Sequence, residues 1–217
     1  MSDFRYVNKK DTAQLKNELL KLIHSVQKEV RKKFTFNYYF VGSCRRNMIT
    51  QDIKGNTGFD FDVNFEPNDP DEIYPPDEIH DIIFKAVQKC SKQRGYSKIE
   101  KSTSVITIKA IDKKNKRVKY SCDIAIVFNY YDDAKRKMLQ QYIRYNKPQN
   151  NYTWEDRGED HYQLDNKINW LKENKLWNEL RAWYLYKKNT NTDTNKHSRS
   201  ILAESVNDIC DEYSYQR

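Results

Sequence analysis

Gly58-Phe59-Asp60-Phe61-Asp62-Val63-Asn64-Phe65 is the stretch that decides how this chain is read. Bulky apolar residues at 59, 61, 63 and 65 alternate with polar ones at 60, 62 and 64, the two-residue period of a strand with one buried face. Asp60 and Asp62 therefore share the other face, their backbones about 7 Å apart. Two carboxylates held this way repel each other unless a cation sits between them, and hard divalent ions take such oxygen donors. A solvated polar face is the alternative reading. Aspartate is depleted from strands, however, and three of the five glycines (Gly42, Gly55, Gly58) precede this one, so a cation site is expected.

Further along, Val118 to Phe128 repeats the alternation. Asp123 shares its side with Ala125 and Val127, where an isolated charge is costly without a cation or a donor. With Ser104 to Ile111 and the polar turn at 112–117 this run predicts an antiparallel hairpin. Upstream, residues 12–33 predict an amphipathic helix carrying Leu15, Leu19, Leu20, Ile23, Val26 and Val30. A strand from Phe34 to Val41 follows, then Gly42-Ser43 and a short helix over 44–50. Backbone N–H groups and a hydroxyl at a strand-to-helix turn can cradle a phosphate, and Arg45, Arg46 and Lys54 add positive charge. After β-like residues 59–65 come Pro67, Pro70, Pro75 and Pro76 in an acidic loop. Asp77 is then expected to cap a helix bearing Ile79, Ile82, Ile83, Ala86, Val87 and Cys90.

Strands are expected to cease at about residue 132. A helix over 134–145, an irregular stretch to 160, one helix over 165–188, a linker over 189–197 and a last helix over 200–213 complete the reading. Trp170, Trp177 and Tyr184 recur at seven-residue steps, which reads as a packing stripe rather than a base-stacking platform. The fold class is α+β: a sheet-bearing lobe over 1–132 and a helical lobe over 133–217.

The 217 residues hold 39 Lys and Arg against 31 Asp and Glu, a formal charge of +8. That favours polyanionic partners, nucleotides or nucleic acid, over a merely solvated lysine-rich surface only weakly. A 13% aromatic content argues for a folded core despite 32% charged residues. No apolar run reaches the roughly 18 residues of a membrane span, and the first residues have no signal-peptide character, so a cytoplasmic protein is expected. Cys44, Cys90, Cys122 and Cys210 have no metal-ligand spacing, and Cys44 reads as a small buried thiol.

Taken in order, Gly42-Ser43, Lys54-Gly55-Asn56 leading into Asp60-Phe61-Asp62-Val63, and Asp123 in a later strand resemble the DNA polymerase beta-like nucleotidyltransferase superfamily. The resemblance covers about residues 12–130 and is nearest in pattern to oligoadenylate synthetases and bacterial cyclic-oligonucleotide synthetases. The gap from Gly42-Ser43 to Asp60 is longer than the commonest family spacing. The resemblance implies a small mixed sheet with helices on one side and a helical lobe closing a nucleotide cleft. It implies that Asp60 and Asp62 hold two Mg²⁺ ions, with Mn²⁺ as a substitute. Asp123 would complete the metal nearer the acceptor and help deprotonate its hydroxyl, and Gly42, Ser43, Arg46 and Lys54 would bind the triphosphate. The implied partners are a nucleoside triphosphate and an acceptor nucleotide, RNA or small molecule. A small cationic acceptor would use an acidic pocket from Asp69, Asp71, Glu72, Glu155, Asp156, Glu159 and Asp160. A non-catalytic RNA-binding or antitoxin module on the same fold is the remaining reading, and intact carboxylates at all three positions favour an enzyme.

Overall fold

The chain runs β1 (Phe4–Tyr6), α1 (Lys9–Val30), β2 (Thr35–Val41), α2 (Gly42–Arg45), β3 (Thr50–Asp52), β4 (Phe59–Asn68), α3 (Pro76–Gln93), β5 (Lys98–Lys101), β6 (Ile106–Asp112), β7 (Arg117–Asp132), β8 (Lys137–Asn146), β9 (Asn151–Asp156), α4 (Asp160–Glu173), α5 (Trp177–Thr190) and α6 (Ser198–Glu212). This computed structural model describes residues 2–55, 58–69, 71–96, 98–158, 160–193 and 196–215, with backbone alone for 160–163. Asn56, Pro70, Glu159 and the side chain of Asp160 lie outside the described residues.

A seven-stranded mixed sheet in the order β2-β4-β7-β6-β5, extended by β8 and β9, forms the scaffold. β4 pairs antiparallel with β2 and parallel with β7. The alternation of β4 sends Phe59, Phe61, Val63 and Phe65 into the core, where Tyr120, Cys122, Ile124 and Ile126 of β7 meet them. α1 and α3 cover this side, contributing Leu15, Leu19, Leu22, Ile23, Ile79, Ile83 and Val87. Asn8 caps α1 by accepting from the Lys10 N–H, and Lys89 of α3 pairs with Glu29 of α1 at 2.7 Å. Each fully buried large side chain here contributes about 1.5–3 kcal/mol. The helices therefore lie on one side of the sheet, as expected, and the polar positions of β4 and β7 are turned to the other.

Several expectations are corrected. Residues 134–145 are not a helix, and 146–160 are not irregular. β7 runs on to Asp132, turns with the Lys135 N–H on Asp132 Oδ1 at 2.9 Å, and pairs with β8, which pairs with β9. Leu139 and Ile143, the buried residues of β8, fit a helical four-residue step as well as a strand period. Its turns use Arg136 and Asn150 at positive φ rather than glycine, which hid the hairpins.

The single helix over 165–188 is two. Lys175 has φ 62, and Leu176 N–H returns to Leu171 C=O at 2.8 Å, a Schellman ending. Trp170 therefore lies on a different helix from Trp177 and Tyr184, and no continuous stripe exists. Asp77 is not a cap either: Pro76, lacking an N–H and preset in φ, opens α3 one residue earlier, and the Asp77 carboxylate accepts from the Tyr152 N–H at 2.6 Å. The short helix after Gly42 ends at Arg45, with Thr50 already in β3.

Two compact units divide the chain. One comprises Tyr6–Thr50 and Asn56–Arg157 and holds the large sheet with α1 and α3. The other comprises Met1–Arg5, Gln51–Gly55 and Gly158–Arg217 and holds α4, α5 and α6. Within it, Asn189 brackets Phe4, accepting from its N–H at 2.7 Å and donating to its C=O at 3.1 Å. The sheet unit extends past residue 132 because β8 and β9 continue it. No helix among the described residues is long and apolar enough to cross a membrane.

Candidate active site

Register brings the acidic residues together. In the parallel β4–β7 pair Asp62 lies opposite Asp123 and Asp60 opposite Ser121. In the antiparallel β6–β7 pair Thr107 lies opposite Asp123 and Lys109 opposite Ser121. Paired residues share a face, so three carboxylates, two hydroxyls and an ammonium stand on the side of the sheet away from α1 and α3. The alternation that sinks Phe59, Phe61 and Val63 into the core places them there.

The outer two carboxylates are tethered. Ser121 Oγ donates to Asp60 Oδ1, and Thr107 Oγ1 donates to Asp123 Oδ1 at 2.6 Å. Asp62 stands between them, and burial, then the charges of Asp123 and Asp60, push its pKa up to about 6, with Arg46 opposing. Burial also raises Asp123, opposed by the Thr107 hydrogen bond, while the Asp60 charge adds to the rise and Lys109 relieves it. Lys109 is itself paired with Glu100 at 2.6 Å. The electrostatic strain of this cluster is of the kind a bound cation relieves.

Three carboxylates on adjacent strands make an all-oxygen donor set suited to Mg²⁺ or Mn²⁺. Among the described residues no group of three or more His, Cys, Asp or Glu side chains is arranged to hold a metal ion, while the donor chemistry and the shared face of the three carboxylates fit one.

Gly42 joins this site by necessity. It has φ 61, which favours glycine, and a Cβ there would force the Asp62 carboxylate to shift. Ser43 follows at the start of the four-residue α2. Arg46 donates to Gly42 O at 3.2 Å, keeping its guanidinium within electrostatic reach of Asp62. The structure thus gathers Gly42, Arg46, Asp60, Asp62 and Asp123, with Ser43 next to Gly42 in the chain. Lys54 belongs to the other compact unit, where its backbone N–H donates to Asp52 Oδ1 at 3.1 Å.

Sequence reading missed Thr107 and Lys109, which only the hairpin register aligns with β7. Ser121 was legible as a neighbour of Asp123 on one face, though not as the partner of Asp60. Cys44 is half-buried beside the site, and burial pushes its thiol pKa up, which disfavours the thiolate. A cavity of about 420 Å³ opens on the helix-covered side, among Glu18, Lys21, Arg94, Tyr96, Lys119 and Tyr120, and none of the site residues lines it.

No protein-family model matches the chain, and no curated protein matches its sequence. Solved structures do resemble it. A CdnE c-di-GMP synthase from Capnocytophaga granulosa, described as STING-associated, matches at TM-score 0.61 and 18% identity over 98% of this chain and 64% of that one. The DncV cyclic AMP-GMP synthase of Vibrio cholerae, in complex with nonhydrolyzable GTP, matches at 0.57 and 16% over 88% and 50%. The CdnE cyclic dinucleotide synthase of Elizabethkingia meningoseptica, with GTP and Apcpp, matches at 0.51 and 15% over 88% and 68%. The chain thus spans half to about two thirds of these proteins' lengths. Its fold, a mixed sheet with helices on one side, is shared with these cyclic dinucleotide synthases.

Proposed function

We propose that this protein transfers a nucleoside monophosphate from a nucleoside triphosphate to a hydroxyl, releasing pyrophosphate. The observation that carries the reading is the register of β4 against β7, which sets Asp62 opposite Asp123 with Asp60 on the same face and Gly42 making room beside them. Asp60, Asp62 and Asp123 would hold Mg²⁺, with Mn²⁺ as a substitute. When bound, a pair of such ions stabilises the attacking and leaving oxygens of an in-line displacement.

The chain's own residues supply the rest. The hydroxyl of Ser43 and the backbone N–H groups around it bind the polyphosphate, and Arg46 adds positive charge there. Asp123, more basic than an ordinary carboxylate through burial, takes the acceptor hydroxyl's proton as the new O–P bond forms at the α-phosphorus and the bond to pyrophosphate breaks.

For the acceptor, we favour a second nucleotide, which makes the product an oligonucleotide or cyclic dinucleotide of the second-messenger kind. Support comes from the fold shared with three cyclic dinucleotide synthases and from the charge of +8. An acidic pocket for a cationic small molecule gains no support from Asp69, whose carboxylate caps its own loop through the Ile73 and Tyr74 N–H groups. The cytoplasm, where nucleoside triphosphates are abundant, is the proposed location.

The test incubates purified protein with each α-labelled nucleoside triphosphate and Mg²⁺, following pyrophosphate and labelled products. The reading expects a Mg²⁺-dependent labelled oligonucleotide, lost in Asp60→Asn and Asp62→Asn. Equal turnover by those variants would refute the site.

A further inference from the structure

We propose that Thr107 and Ser121 are positioning residues, each fixing one oxygen of a site carboxylate so that the other is presented to a divalent cation. The inference rests on the metal-site reading above and extends it to residues outside the carboxylate set.

Both hydroxyls are delivered by the sheet itself. Thr107 stands opposite Asp123 in the β6–β7 ladder and Ser121 opposite Asp60 in the β4–β7 ladder, so strand register places each donor beside its carboxylate. Each donates to one oxygen only, Oδ1 of Asp123 at 2.6 Å and Oδ1 of Asp60. A carboxylate oxygen that accepts a charge-assisted hydrogen bond loses rotational freedom, and its second oxygen is left for a different partner. Asp62, between them, accepts no side-chain hydrogen bond among the described residues, so only the two flanking carboxylates are aimed.

The competing explanation is that Thr107 and Ser121 merely satisfy polar atoms in a crowded strand. Strand hydroxyls need no carboxylate for that, since a backbone carbonyl or water serves. Here two hydroxyls on two different strands each select a site aspartate. Ligating carboxylates are themselves commonly held by hydrogen bonds, and losing such a partner costs about 10–100-fold in metal affinity or activity.

Mn²⁺ binding to the nucleotide-free full chain, followed by electron paramagnetic resonance of the free ion, tests this without reference to turnover. Thr107→Val keeps the shape and removes the donor; Thr107→Ser keeps the donor. Thr107→Val and Ser121→Ala are each expected to weaken Mn²⁺ binding about 10-fold or more, with Thr107→Ser within about twofold of wild type. Wild-type affinity in Thr107→Val, or the same loss in Thr107→Ser, overturns the positioning role. If Thr107→Val does not fold, Ser121→Ala decides on the same criterion. A wild-type chain that binds Mn²⁺ no better than Asp62→Asn overturns the metal site itself, an outcome separate from failure of the positioning role alone.

Discussion

At position 62 a carboxylate is sheltered from water between two others, and burial and repulsion both oppose its charge. Its pKa of about 6 lies above the unfolded value near 3.8, so the folded chain holds the proton more tightly. Metal-free stability is therefore greatest while Asp62 is protonated and declines as pH rises from about 4 to about 6. Asp62→Asn removes the charge with little change of shape. In EDTA at pH 7.5 it should be more stable than wild type by on the order of 1–2 kcal/mol, after discounting for partial exposure, while nucleotidyl transfer is lost. Urea unfolding of both proteins checks this; a variant less stable than wild type would show that Asp62 is held by donors rather than strained. The two aspartates of β4 were legible because alternation alone puts them on one face. Thr107 was not legible, since its place depends on a hairpin register that a β-bulge between Ala110 and Ile111 shifts.

Among the elements, α3 and β9 show what sequence reading could not reach. β9 was taken for irregular chain, yet Tyr152 stacks on His80 of α3 with ring centroids 3.7 Å apart and 15° between planes. His80 is 4% exposed, and its Nδ1 has no hydrogen-bond partner among the described residues. Burial, then the charge of Lys101, lowers its pKa to about 4, with Asp81 and Asp77 opposing. The folded state thus favours neutral imidazole. Stability from this site is full above the unfolded value near 6.5 and is lost as pH falls from there towards 4, by about 3 kcal/mol in all. His80→Phe keeps the ring stack and should remove that part of the pH dependence, seen as a smaller drop in urea midpoint between pH 7 and pH 4.5. Identical drops in both proteins would contradict it. α1 and α3 were readable from periodicity because each buries a single stripe. The β7–β8–β9 region was not, because its turns rest on Arg136 and Asn150 and its apolar spacing suits either structure.

For the molecule as a whole, the mixed sheet with helices on one side was foreseen from the order of a few motifs, and similarity to solved structures at 15–18% identity bears out that fold. The boundary at 132 was misjudged for the same reason that β8 was: a sheet ends where pairing ends, and pairing continues to Asp156. The central claim, that the carboxylates of β4 and β7 form a metal-assisted triphosphate site with the Gly42-Ser43 turn, is tested most directly by a crystal structure with Mg²⁺ and a non-hydrolysable nucleoside triphosphate. The account predicts polyphosphate at Ser43, with the cation held by Asp60, Asp62 and Asp123. A nucleotide bound elsewhere, such as in the cavity beside Lys21 and Lys119, with the three carboxylates free of metal, would contradict it.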